Sequence, residues 1–295
     1  MADTIIDLYW SEAYGASGIE LETTRKSSFV AASLAADPVP GVRLVAPSPA
    51  TPDEFGAVHD GAYVDAVRHG TPAWLARSNG IGWTDELFSA VAASTGGVRD
   101  AALTAMRTGI AGSLSSGLHH ARAGEGNGFC TFNGLVVAAR AALRAGAGRV
   151  LVVDLDAHCG GGTASMLDRV PGMEQVDVSL SSFDEYASRP GARLWLPTRD
   201  SYLETVTEAL DSVEDPTGVG LVLYNAGMDV HWSAGTPGGL DDDQVRRREE
   251  LLFDWARSHG IAVAFVLAGG YLSPCTWDEL VSLHRITIEV ATCSR

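Results

Sequence analysis

Six short apolar runs punctuate the chain: Ile5–Tyr9, Val42–Ala46, Arg149–Asp156, Val176–Leu180, Val219–Asn225 and Val263–Leu267. Each is rich in β-branched residues and bounded by Gly, Asp or Pro, the pattern of a buried strand. A further small-residue strand precedes the adjacent histidines His119 and His120. Between the runs lie helical patterns. Thr84–Thr108 is long and opens on the capping sequence Thr84-Asp85-Glu86, Leu135–Leu143 is Ala-rich, and Tyr202–Val213 and Gln244–Ser258 are amphipathic. Strands alternating with helices predict an α/β fold: a largely parallel sheet with helices on both faces. In such sheets functional residues collect beyond the C-terminal ends of strands.

Those ends are where the unusual residues stand. The run beginning at Arg149 closes on Asp154, Asp156 and His158, followed by Cys159 and the glycines Gly160, Gly161 and Gly162. Side chains alternate along a strand, so these three polar groups tend to point the same way. Burying them is costly unless they pair or bind a metal, and Asp and His suit a divalent ion such as zinc. A hydrogen-bonded Asp–His pair capping the strand is the alternative. The run at Val219 is followed by Asp229 and His231. Asp229 would complete an Asp/His/Asp site with an open position for water and substrate, ahead of His231 as a ligand. Taken alone, it reads equally as a helix-capping acid.

Two further elements add proton and hydrogen-bond chemistry. His119 and His120 are adjacent, ahead of Gly128-Phe129-Cys130. One would serve as general base on a metal-bound water, the other as an oriented or charged neighbour. A pair of internally satisfied polar residues is the plainer reading. The run at Val263 ends in Gly269, Gly270 and Tyr271. The glycines permit close backbone approach, and the phenol would hydrogen-bond a developing oxyanion or simply anchor a loop.

Composition narrows the class. The chain has 295 residues, 46% hydrophobic and 20% charged, with a net charge of −16. A chain of this length buries a large core as one domain spanning residues 1–295, without disulfides. The acidic balance argues against nucleic acid as a main partner, since phosphate binding needs a basic face. It reads as a soluble surface first and as steering for a cationic substrate second. The four cysteines show no CxxC spacing, no run is long enough to span a bilayer, and Met1–Thr4 lack the features of a signal peptide. The expectation is a cytoplasmic protein with no membrane partner; a homo-oligomer is compatible with the sequence.

As an ordered set, these residues resemble the zinc-dependent histone deacetylase family, with its bacterial deacetylase-like and acetylpolyamine amidohydrolase members. The resemblance runs from about Thr51 to Trp277 and includes His59 and Tyr63 as well as the motifs above. It implies a single arginase-like α/β domain with an eight-stranded, largely parallel sheet. By resemblance, Asp156, His158 and Asp229 are zinc ligands, with iron(II) as an alternative ion. His120 is the general base and acid, His119 its electrostatic partner supported by Asp154, and Tyr271 the phenol that polarises the carbonyl. Gly128 and Phe129 match the acyl channel. Asp154, Ser179 and Leu180, with the backbone carbonyls of Asp156 and His158, match an inner site for potassium. The implied reaction removes an acyl group, acetyl in the first instance, from acyl-lysine or from a small acylated amine such as a polyamine or a natural-product intermediate.

Three departures set further expectations. Gly161 stands where the family commonly has Asp or Asn beside the second histidine. His120 is therefore expected to lack a side-chain orienter, with water in its place and a shifted pH–rate profile. Cys159 replaces a second His and reads as a small packing residue, with a weak nucleophile as the alternative. Glu20–Lys26 replaces a His-Pro-Glu type segment, and Thr71–Asn79 lacks a rim acid, which leaves room for a small substrate. Arg193 and Trp195 are candidates for the rim. Two competing functions remain: a deacetylase-like protein that binds an acyl ligand without turnover, and a dinuclear manganese ureohydrolase. The second needs a carboxylate at Gly160.

Overall fold

The apolar runs form one sheet of eight parallel strands in the computed structural model, which describes residues 5–15 and 18–293. Met1–Thr4, read above for a targeting segment, lie outside the described residues. The strands are β1 (Ile6–Tyr9), β2 (Val42–Val45), β3 (Ile110–Ser113), β4 (Arg149–Asp154), β5 (Met173–Val178), β6 (Ala192–Trp195), β7 (Val219–Gly227) and β8 (Ala262–Ala268). Their spatial order is β2-β1-β3-β8-β7-β4-β5-β6, and every pairing is parallel. The longer helices are α1 (Glu22–Ala36), α2 (Leu87–Thr108), α3 (Gly134–Arg144), α4 (Tyr202–Asp211), α5 (Asp242–Ser258) and α6 (Trp277–Cys293). Among the described residues, no helix is long and apolar enough to cross a membrane.

The strand period of two sorts the core into two layers. Val150, Val152, Leu221, Leu223, Ala264 and Val266 face α2 and α3. Leu151, Val153, Val222, Tyr224, Val263 and Phe265 face the opposite side, where α1, α4, α5 and α6 pack. Covering both faces makes the central strands continuous apolar runs rather than alternating ones.

The structure adds elements the apolar pattern does not announce. The edge strand β6 is short and only partly buried, and α1 and α6 carry polar residues such as Lys26 and His284 on buried positions. It also moves boundaries. The helix read from Thr84 begins at Leu87, and its N-cap, Glu86, makes no side-chain capping bond. Strand β4 ends at Asp154, so Asp156 and His158 lie on the following loop. Arg193 and Trp195 belong to β6 rather than to a rim. Arg193 bonds the Ser212 carbonyl just past α4, and Trp195 packs against the core.

Behind the C-terminal strand ends, His59 ties three segments together. Its Nδ1 bonds the Arg122 carbonyl at 2.9 Å, and its Nε2 accepts from the Asn133 amide at 3.1 Å. Asn133 caps α3 and donates to the carbonyls of His119 and Ala121. Burial holds His59 down from 6.5 to about 4, so it is neutral in the folded protein. The unfolded chain binds this proton first. Stability is therefore present above pH 6.5 and lost as pH falls toward 4, by up to about 3 kcal/mol from this residue. We expect His59→Gln to flatten that part of the stability–pH curve. Denaturant titration from pH 7 to 4 reads it, and equal slopes in both proteins would refute it.

Candidate active site

The site sits beyond the C-terminal ends of β3, β4, β7 and β8, in the middle of the sheet. Here the strand order switches direction and loops diverge. The β4 and β7 ends bring three ligand-type groups together. Asp156, His158 and Asp229 offer donor atoms that all lie within 4.8 Å of one another, the one such group among the described residues. His158 Nδ1 is 3.3 Å from Asp156 Oδ1 and 3.0 Å from Asp229 Oδ2. Ala157 N donates to Asp229 at 3.2 Å, and His158 N donates to Asp156 at 3.0 Å, which fixes both carboxylates. His231 is elsewhere. Its ring contacts Ser233 and Asp242, so of the two residues weighed after β7 only Asp229 joins the group.

Two buried carboxylates facing one imidazole nitrogen are a poor arrangement without a cation. The three donors converge on one point, carry the Asp/His chemistry that zinc accepts, and leave one side open to the cleft. The residues present therefore fit a divalent ion. A second ion beside it does not fit. A Cβ on Gly160 would stand 2.6 Å from Asp154 Oδ2 and 2.7 Å from the Gln175 amide, leaving no room for the carboxylate a dinuclear site requires.

The histidine pair follows β3 on the same side. The two rings lie 3.9 Å apart between centroids. Their outward nitrogens meet different acids. His119 Nδ1 is 2.8 Å from Asp154 Oδ2, and His120 Nδ1 is 3.0 Å from Asp184 Oδ2. The second contact corrects the expectation drawn from Gly161. His120 does have a side-chain carboxylate partner, supplied by the loop after β5 instead of the turn after β4. The sequence held no local signal for it, because Asp184 is 64 residues from His120.

The environments push the two histidines apart. His119 is desolvated, yet the charges of Asp154 and Asp156 outweigh burial and hold it up to about 10. His120 is held down to about 4, first by burial and then by charged His119. Around neutral pH one ring is charged and the other is free to take a proton.

Tyr271 lines the same cleft, held by its amide on the Ala234 carbonyl at 2.7 Å. Burial raises its phenol well above the usual range, so it is a hydrogen-bond donor. Gly269 makes the close approach. Its φ is +54°, and a Cβ there would fall 2.3 Å from Asp229 Oδ1. The Gly269 carbonyl accepts from buried Lys26 Nζ at 2.5 Å, and burial lowers that ammonium to about 7. Glu20–Lys26 thus contributes the start of α1 and a buried amine beneath the Tyr271 turn.

Phe129 projects from a left-handed turn, with φ +51° at Gly128 and +66° at Phe129. Its amide donates to the Asn79 carbonyl, so Thr71–Asn79 supports the wall rather than offering an acid. Facing the histidines is an aromatic that pattern reading missed. Phe183 meets His120 edge-on at 5.0 Å and His158 at 5.8 Å.

Beneath the dyad lies a second cluster of polar groups. Asp154 Oδ1 accepts from Asn225 Nδ2 at 2.8 Å and from Asp156 N at 3.2 Å. Asp177, also missed, accepts from Gly160 N, Gln175 Nε2 and Ser179 Oγ. Burial and the Asp154 charge raise it to about 8. Ser179 and Leu180 follow directly at the end of β5, beside the Ala157 carbonyl that accepts from Leu180 N.

The histone deacetylase domain matches residues 20–187, and the chain belongs to that family. It is 32% identical over 238 residues to an uncharacterised protein of Picosynechococcus, covering 78% of each chain. It is 34% identical over 188 residues to histone deacetylase 2 of Arabidopsis thaliana, covering 60% of this chain and 48% of that one. Among solved structures, the HD domain of HDA15 has the same fold, with a TM-score of 0.78 at 21% identity over 99% of this chain and 90% of that one.

Cys159 is buried, its Sγ points at the Ser181 carbonyl 3.2 Å away, and burial raises its thiol to about 12. That is an inert packing residue, not a nucleophile. Cys130 and Cys275 are also buried, and Cys293 is exposed. Iodoacetamide at pH 7.5 should therefore label the native chain at Cys293 alone, read by peptide mass spectrometry. Modification of Cys159 at a similar rate would contradict this.

Proposed function

We propose that the protein is a metal-dependent amidohydrolase that removes an acyl group, acetyl in the simplest case, from an amine. The observation that carries this reading is the divided histidine pair. One ring is held charged by Asp154 and the other neutral, both beside the convergent Asp156, His158 and Asp229 donors. Zinc suits those donors, and iron(II) is accepted by the same set. Bound there, the ion would supply Lewis-acid polarisation of the amide carbonyl and a more acidic attacking water.

The chain's own residues do the rest. Phe129 and Phe183 flank an acyl chain and exclude water around it. His120 takes the proton of the attacking water on the ring nitrogen opposite its Asp184 contact. Tyr271 donates its phenolic hydrogen to the carbonyl oxygen as negative charge builds there. His119 stays protonated, adds positive potential beside that oxygen, and keeps the basicity of His120 low enough to leave it free at neutral pH. His120 then returns its proton to the departing nitrogen. The products are a carboxylate and an amine.

The substrate is an acyl-lysine or a small acylated amine, and the missing rim acid favours the smaller. Asp154, Ser179 and Leu180, with the carbonyls of Asp156 and His158, are proposed to hold a potassium ion. Two buried carboxylates there, Asp154 and Asp177, favour a monovalent cation nearby. The reading as a silent acyl-binding protein rested on Gly161, and the Asp184 contact removes that ground.

Two outcomes test the function. Zinc-reconstituted protein should bind one ion per chain, and Asp229→Asn should lower occupancy under equal dialysis, measured by atomic emission. On fluorogenic acyl-lysines and acetylated polyamines, His120→Ala should lower kcat/KM by about 10²–10⁴-fold and Tyr271→Phe by about 10²–10³-fold. One bound ion with no turnover of any acylated amine would sink the hydrolase reading.

A further inference from the structure

We propose that Asp184 is the positioning residue for His120, and that it occupies, from the loop after β5, the place Gly161 leaves free on the turn after β4. The inference rests on the reading of His120 as the base. A neutral imidazole accepts a proton on one nitrogen only if the other carries its hydrogen. An acceptor at Nδ1 is what selects that tautomer and aims the ring.

Asp184 meets each requirement. Its side chain is 2% exposed and its Oδ2 lies 3.0 Å from His120 Nδ1. The same oxygen accepts from Gly162 N at 3.1 Å. Its other oxygen is paired with the Arg122 guanidinium, which also donates to the Gly161 carbonyl at 3.2 Å. Arg122 follows the histidine pair by two positions, so one short segment carries both the base and the guanidinium paired with its orienter.

The relocation is sterically exclusive. A Cβ on Gly161 would stand 2.2 Å from the Asp184 carbonyl oxygen and 2.7 Å from Asp184 Oδ1. A side chain at 161 and a seated Asp184 cannot coexist. Asp184 also holds a left-handed backbone, with φ +61°. Few residues other than Gly, Asn and Asp adopt it readily, and it is kept here where the carboxylate must turn inward. The residue before it is Phe183, the edge-on wall over His120 and His158, and the Phe183 carbonyl accepts from Cys159 N at 3.0 Å. One loop therefore shapes the acyl channel and orients the base, so a displacement of the wall displaces the orienter with it.

The first test reads the wild-type protein and uses a variant only for assignment. Long-range ¹H–¹⁵N spectra of the histidine rings at pH 7.5, with His120 assigned against His120→Ala, should show the proton of His120 on Nδ1. A proton on Nε2 overturns the proposal. In zinc-loaded protein, Asp184→Asn should lower kcat by about 10- to 100-fold with KM within about threefold, unchanged zinc content and a changed His120 tautomer. Unchanged kcat with an unchanged tautomer overturns it too. The exchange of positions is the sharper arm. Gly161→Asp alone should lose activity, because its Cβ would meet both the backbone carbonyl and the carboxylate of Asp184 and displace that loop. Gly161→Asp combined with Asp184→Gly should recover at least tenfold over Asp184→Gly alone; no recovery, or full activity in Gly161→Asp alone, counts against the relocation. Wild-type silence on every acylated amine would defeat the hydrolase reading while the tautomer measurement still judged Asp184.

Discussion

Buried negative charge is the constraint around which this site is built. Asp154, Asp156, Asp177 and Asp229 lie at the C-terminal ends of β4, β5 and β7, each almost wholly removed from water. Carboxylates in that setting are tolerable only with donors, cations or protons close by. The parallel sheet supplies part of this, since strand ends and turning loops leave amide groups free. The amides of Asp156, Ala157, His158 and Gly160 all donate to one of these acids. The imidazoles of His119 and His158 supply more, and the donor set of Asp156, His158 and Asp229 fits a divalent cation. The chemistry of the cleft thus follows from how the fold compensates charges it has buried.

The division of labour between the histidines has the same origin. Both rings are buried, and burial alone would keep both neutral. Asp154 and Asp156 lie close to His119, and their charges together outweigh desolvation. Asp184 faces His120 already paired with Arg122. Two neighbouring residues of one type are separated because nearby acids hold one ring charged, while burial beside that charged ring holds the other neutral. Groups with divergent proton affinities side by side are what acid–base chemistry at neutral pH requires.

How much of this was legible along the chain depended on range. Strands β4, β7 and β8 are buried on both faces, so they stood out as continuous apolar runs with their polar residues stacked at one end. His119-His120, Asp156-x-His158 and Gly269-Gly270-Tyr271 each fall within a few residues, and their order along the chain carried the resemblance. Asp184 and Phe183 did not show. They sit in the mixed sequence between β5 and the short edge strand β6, where no periodicity marks a function. Lys26 was similarly hidden, because a lysine on an amphipathic helix reads as solvent-facing until α1 is seen to pack over the Gly269 carbonyl.

The sequence by itself determined the class of fold, the family and the types of residue at the strand ends. Local hydrophobic order and short motifs encode these, and they survive any detail of packing. Only the tertiary structure decided which acids meet which histidines. That choice is made by contacts between segments far apart in the chain, and a missing Cβ is one of them. Gly161 looked like a loss when read beside its neighbours, but its empty position is what admits Asp184 from 23 residues away. A substitution that removes a group and one that makes room for another look alike in one dimension. Excluded volume tells them apart in three.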